Sequence, residues 1–216
     1  MELTNSQYLT PHKVIASLSY RIPYAKNFAT SVSLFYSGYN AGNFSYMYDG
    51  DMNQDGINND LIYIPKSKDE LTFVDKNGFT AEQQAEAFWN YVNQDSYLKN
   101  HKGEYAKAYS ARYPWVNQID LKVVQDFIVK AGKTTNTLQV SLDIFNLGNL
   151  LKDTWGVTKV PVNSGRILKY EGVTADNVPT FSMYQSENKL PTETFSYLKN
   201  SSNCWQIQVG IRYIFN

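Results

Sequence analysis

The sequence predicts an all-β fold, with antiparallel strands forming part of a transmembrane β-barrel and long loops at one end, one of them containing a short helix. Three observations lead there. Five segments alternate apolar and polar residues with period two. The links inside strand pairs are brief, whereas those between pairs are very long. Aromatic residues make up 15% of the chain, a bias that suits strands crossing a membrane interface but is shared by large β-sandwiches.

The first strand is expected near 13–22, where Val14, Ala16, Leu18, Tyr20 and Ile22 oppose Ser17, Ser19 and Arg21. The second, near 28–38, sets Phe28, Val32, Leu34 and Tyr36 against Ala29, Ser31 and Ser33. Near 115–129, Ile119, Leu121, Val123, Phe127 and Val129 oppose Asp120, Lys122, Val124 and Asp126, with Gln125 and Ile128 breaking the pattern. Near 137–148, Leu138, Val140, Leu142 and Ile144 alternate with Gln139, Ser141 and Asp143. The last, near 205–215, is the most regular. Trp205, Ile207, Val209, Ile211, Tyr213 and Phe215 share one face, and Gln206, Gln208, Gly210 and Arg212 the other, with Ile214 its only apolar member.

Residues 23–27 and 130–136 are short links, while 39–114 and 149–203 are long loops of a kind rare in compact soluble domains. Outer-membrane barrels have this asymmetry, with short periplasmic turns and long extracellular loops, which puts the last residue on the periplasmic side. Within the first long loop, Thr80 and Gln83 form a capping-box pair, and Ala85, Phe88, Trp89 and Val92 recur at helical spacing, giving an expected helix over 81–98. A soluble or surface-anchored β-sandwich that binds calcium or carbohydrate is the alternative, because a half-wet sheet alternates in the same way.

Twenty basic and twenty acidic residues cancel, and no basic run stands out, so the sequence offers no nucleic-acid partner. A single cysteine, Cys204, excludes an internal disulfide framework, and His12 and His101 have no metal spacing. No apolar run reaches the length of a membrane helix, and no leader pattern follows Met1.

Four blocks go further. They are Asp51-Met-Asn-Gln-Asp-Gly-Ile-Asn-Asn-Asp-Leu-Ile-Tyr-Ile-Pro65; Tyr113-Pro-Trp-Val-Asn-Gln-Ile-Asp-Leu121 followed by Gln125-Asp-Phe127; Leu142-Asp-Ile-Phe-Asn-Leu-Gly-Asn-Leu150; and Trp205-Gln-Ile-Gln-Val-Gly-Ile-Arg-Tyr-Ile-Phe215. In content and order they resemble the C-terminal barrel portion of TonB-dependent outer-membrane receptors, in particular the group with an N-terminal carboxypeptidase-regulatory-like domain. The resemblance implies the last strands of a 22-stranded barrel in the outer membrane of a Gram-negative bacterium, taking part in active nutrient uptake. It implies as partners outer-membrane lipid, an N-terminal plug and the rest of the barrel, TonB acting through that N-terminal part, and a surface lipoprotein. None of the plug, the TonB-contacting segment or a signal peptide is in the sequence, so it is expected to be a piece of a larger receptor. The family's assembly signal, a terminal aromatic strand, falls on Tyr213 and Phe215, although Asn216 follows them.

For chemistry, Asp51, Asn53, Asp55 and Gly56 reproduce the start of a calcium loop, with Asp60 as a further carboxylate. Ile62 stands where an EF-hand has its bidentate glutamate, and the same residue types also favour a tight turn without metal, so both readings stay open. Apart from calcium no cofactor is expected. Gly132-Lys-Thr134 looks like the end of a phosphate-binding loop, but Phe127 occupies the first glycine position. No nucleophile or acid/base group is evident, so the protein is read as a non-enzyme, and Asp120, Lys122, Asp126, Asp143 and Arg212 are expected to pair on a lumenal face or with a plug. Trp89, Tyr91, Tyr105, Tyr109 and Trp155 are candidates to stack on a ring-shaped ligand or, equally, to pack the loops.

Overall fold

A computed structural model describes residues 4–215. The strands in chain order are β1 (Lys13–Tyr24), β2 (Phe28–Asn40), β3 (Asn43–Phe44), β4 (Met47–Asp49), β5 (Thr72–Phe73), β6 (Ala111–Arg112), β7 (Trp115–Ala131), β8 (Thr134–Phe145), β9 (Lys159–Pro161), β10 (Arg166–Val173), β11 (Pro179–Met183), β12 (Phe195–Tyr197) and β13 (Gln206–Phe215), with helices α1 (Ala81–Gln94) and α2 (Leu147–Leu151). The protein is mostly β and divides into two compact units. One contains Pro11–Ala41, Pro114–Thr158 and the chain from Tyr197; the other contains Gly42–Tyr113, Lys159–Ser196 and the residues up to Thr10.

The first unit is a five-stranded antiparallel sheet in the order β1-β2-β7-β8-β13. Its register lines up apolar residues across the strands, with Thr30 and Gln125 as exceptions. Leu18, Leu34, Leu121, Ile144 and Ile207 are successive partners in one row, and Tyr20, Val32, Val123, Leu142 and Val209 form the next. A third row runs Ile22, Thr30, Gln125, Val140, Ile211, and a fourth Tyr24, Phe28, Phe127, Leu138, Tyr213. Because side chains alternate between faces, these rows lie on one side of the sheet. The opposite side carries Ser19, Ser33, Lys122, Asp143 and Gln208 in one row and Pro23, Ala29, Asp126, Gln139 and Arg212 in another.

Turn chemistry explains the hairpins. Gly132 at φ 63° opens a two-residue turn between Ala131 and Thr134, a conformation glycine takes without steric cost. Ala25 and Lys26, at φ 49° and 59°, close β1 onto β2. Pro23 sits on β1, an edge strand, where a missing N–H costs least. Phe215 pairs with Asn136, so the end of β13 and both hairpin turns share one end of the sheet. The chain leaves for its long segments from the other end.

Those segments are not simple loops. In the second unit a four-stranded sheet, β4-β10-β11-β5, packs with α1 around a core that includes Tyr46, Ile62, Ile64, Phe88, Tyr91 and Leu168. The sequence does not predict the strands found over 39–114 and 149–203, which are short, two to eight residues each. Nor is this sheet all antiparallel. β4 pairs with β10 and β5 with β11 in parallel, and only β10 and β11 are antiparallel. Parallel partners need a long connection, and here the partners come from the two distant segments.

α1 begins where the capping box places it, with the Thr80 hydroxyl accepting from Gln83 N–H and the Gln83 side chain accepting from Thr80 N–H. It ends at Gln94 rather than 98, because Asp95 turns extended and its carboxylate caps the next turn, accepting from the N–H groups of Tyr97 and Leu98. The buried stripe is Gln84, Phe88, Tyr91 and Val92, a rotation from the expected one that leaves Ala85 and Trp89 half-buried. Gln84 is tolerated there because its amide donates to Val74 O and accepts from Met183 N–H.

Candidate functional site

The feature that most invites a function is the pair of unlike faces on the five-stranded sheet. The apolar face is bare, with Leu18 70%, Val209 66% and Ile211 75% exposed. Extended bare apolar surface marks a site of contact with another body or with lipid. Aromatic rings bracket it. At the turn end, Tyr24 stacks on Phe28, Phe28 meets Phe127 edge-on, and Tyr213 stacks on Phe215. Toward the other end, Tyr36 hydroxyl and Trp115 indole N–H both donate to Asn117 Oδ1. At ~3.4 Å per residue the stretch from Trp115 to Phe127 is ~40 Å long, and a barrel-like tilt of roughly 35–45° reduces that to ~30 Å.

Tyr213 and Phe215, the residues of the expected assembly signal, point into this bracket, and Tyr213 hydroxyl donates to Asn136 Oδ1 at 2.6 Å. Asn216 lies outside the described residues.

On the polar face two ion pairs form, and the three carboxylates all accept hydrogen bonds. Lys122 meets Asp143 at 2.7 Å. Asp126, largely buried, accepts from Arg21 at 3.0 Å on one oxygen and from Gln139 at 2.9 Å on the other. Asp120 accepts from the backbone N–H of Asn146 at 2.8 Å. Lys122 and Asp143 therefore join, whereas Asp120 and Asp126 find partners the charge list alone did not supply. Ser19, Ser31, Ser33 and Ser141 share this face with a minority of apolar residues that includes Ile15, Phe35, Val124, Ile128, Phe145 and Ile214.

The Asp51–Asp60 turn is in the second unit and is tied by its own backbone. Asp51 accepts from the N–H groups of Asp55 and Gly56, Asn53 Oδ1 from Asp55 N–H, Asp55 from Ile57 N–H, and Asp60 Oδ2 from Met52 and Asn53 N–H. A calcium ion would compete with these donors for the same oxygens. Among the described residues no three His, Cys, Asp or Glu side chains group in a way that could hold a metal. Beside the turn lies a shallow cavity of about 540 Å³ lined by Tyr48, Met52, Asn53, Asn59, Asp60 and Tyr105. Burial pushes the Tyr48 phenol up to about 12, and its oxygen accepts from Tyr63 N–H.

The aromatic candidates do not form one platform. Tyr91 is fully buried in the core, as its place on α1 requires. Trp89 is covered by Lys102, 4.1 Å from the ring centre, and Tyr109 is half-buried. Tyr105 is exposed against Tyr63, and Trp155 belongs to the other unit, near Lys152.

No family model, no curated protein and no solved structure matches this chain.

Proposed function

We propose that this chain forms the C-terminal part of the β-barrel of a TonB-dependent outer-membrane receptor, an active-transport component for nutrient uptake. The observation that carries the reading is the bare apolar face bracketed by aromatic rings, the lipid-facing pattern of outer-membrane strands. The polar face, with the Lys122–Asp143 and Arg21–Asp126 pairs and its serines, is then the lumenal wall against which an N-terminal plug packs. TonB acts through that plug.

Strand parity adds a constraint. β1 and β13 run in the same direction at the two edges of an antiparallel sheet of five. Joining them edge to edge, within one copy or between copies, makes a parallel seam, whereas outer-membrane barrels are antiparallel throughout. The rest of the barrel therefore supplies an odd number of strands. The Asp51–Asp60 turn is in this reading a calcium loop, supported by its residue types.

The topology is tested by cysteine labelling in intact cells, in a background where the exposed Cys204 is replaced by serine, with Lys133→Cys in the hairpin turn and Lys152→Cys at the opposite end of the sheet. An impermeant maleimide should label Lys152→Cys alone; labelling of both positions only after the outer membrane is opened overturns the proposal.

A further inference from the structure

We propose that residues 146–158 and 197–205 form a strap over the end of the polar face and that Asn146 is its latch, so that the strap opens as a unit while the sheet stays folded. All of these residues belong to the sheet unit.

The strap is held by polar groups rather than by packing. In its two stretches the only buried residues are Asn146 and Asn203, and they are bonded to each other, Asn146 Nδ2 donating to Asn203 O at 3.1 Å. The same amide donates to Gly156 O at 3.1 Å. Asn203 extends the network, accepting from Thr158 N–H at 3.3 Å and donating to Leu198 O at 3.1 Å. Of the strap's large apolar side chains Leu150, Leu151, Trp155 and Trp205 are exposed and Leu147, Val157 and Leu198 half-buried, and a cavity of about 550 Å³ lies between its halves. A segment with so little buried apolar surface belongs to the low end of local stability and opens before the strands do.

The latch is built for its position. Asn146 ends β8 in the left-handed conformation, φ 52° and ψ 52°, which asparagine tolerates better than most residues. Its Oδ1 is buried without a hydrogen-bond partner, which limits the strength of the closed state. Gly156, at φ 63°, lies so close that a Cβ there would stand 1.9 Å from Asn146 Oδ1.

Closed, the strap occupies two polar-face side chains of β7. Asp120 accepts from Asn146 N–H, and Gln118 donates to Gly156 O at 3.2 Å. Opening frees both for a solute. That consequence rests on the polar face being the lumen; the latch itself does not.

Hydrogen exchange of the full chain, read by mass spectrometry on overlapping peptides, tests this with two variants. Asn146→Asp keeps the left-handed preference and the oxygens but loses the amide donor, and Gly156→Ala crowds the latch from the other side. Amide exchange over 156–158 and 198–203 should rise roughly ten-fold or more in each, with β7, β8 and β13 unchanged. Strap exchange that stays at the wild-type rate in both variants, or a rise shared equally by the strands, overturns the proposal. Either result leaves the lipid-facing reading intact, since that depends on β8 side chains outside the strap.

Discussion

Lys122 on β7 and Asp143 on β8 are register partners whose charged groups meet at 2.7 Å, while their chain neighbours Val123 and Leu142, also register partners, lie on the opposite face. One step along each strand exchanges a salt bridge for an apolar pair. Lys122 is half-exposed, so solvent screens the pair, and a double-mutant cycle with Lys122→Met and Asp143→Asn should give a coupling of only about 0.2–1 kcal/mol. A larger coupling would mean that this face is sealed from water.

Acid should loosen the second unit through Glu171. Burial alone would raise its carboxyl, but hydrogen bonds from Lys76 and Ser182 and the charge of Lys169 outweigh burial and hold it below the ordinary carboxylate value. A depressed folded value means the contribution is complete above the unfolded value near 4.5 and is lost as pH falls through the folded one. Thermal unfolding between pH 5 and pH 3 should therefore show a drop in melting temperature that Glu171→Gln flattens. An equal drop in the variant would assign the acid sensitivity elsewhere.

At the Asp51–Asp60 turn, Asp51→Ala removes the acceptor of the Asp55 and Gly56 N–H groups and should cost about 1 kcal/mol in calcium-free buffer, the worth of an ordinary capping contact. The same measurement decides the metal. If calcium binds, millimolar calcium raises the wild-type melting temperature and leaves Asp51→Ala unmoved; no rise in the wild type removes calcium from the turn.

The five long strands were legible because a sheet with two unlike faces writes period two into the chain, as Ile207 to Phe215 shows. Their ends were less so. Residues 146–148 read as the end of β8, yet Asn146 turns left-handed and starts the strap, a change that alternation does not record. The second unit was largely hidden. Strands such as Thr72–Phe73 are too short to display a period, and their partners lie about a hundred residues away in β11. α1 was readable at its start, where Thr80 and Gln83 cap it, but its buried stripe was misjudged because Gln84 is buried only by virtue of Val74 O and Met183 N–H. For the candidate site, composition could identify the residues of the Asp51 turn but not the backbone N–H groups that engage their oxygens.

The central claim, that one face of the sheet meets lipid, is tested most directly by Val140→Arg against Ser141→Arg in the proposed receptor, with Gln139→Arg as a second polar-face control. Val140 lies in the row of Ile22, Gln125 and Ile211, while Ser141 pairs with Val124 and Gly210 on the other face. An arginine near the lipid midplane should cost roughly 2–4 kcal/mol, and one on the polar face should escape that penalty. With the assembled fraction in the outer membrane read by heat-modifiable mobility, Val140→Arg should be depleted while at least one polar-face variant assembles. Normal assembly of Val140→Arg, with both polar-face variants blocked or all three harmless, would contradict the claim.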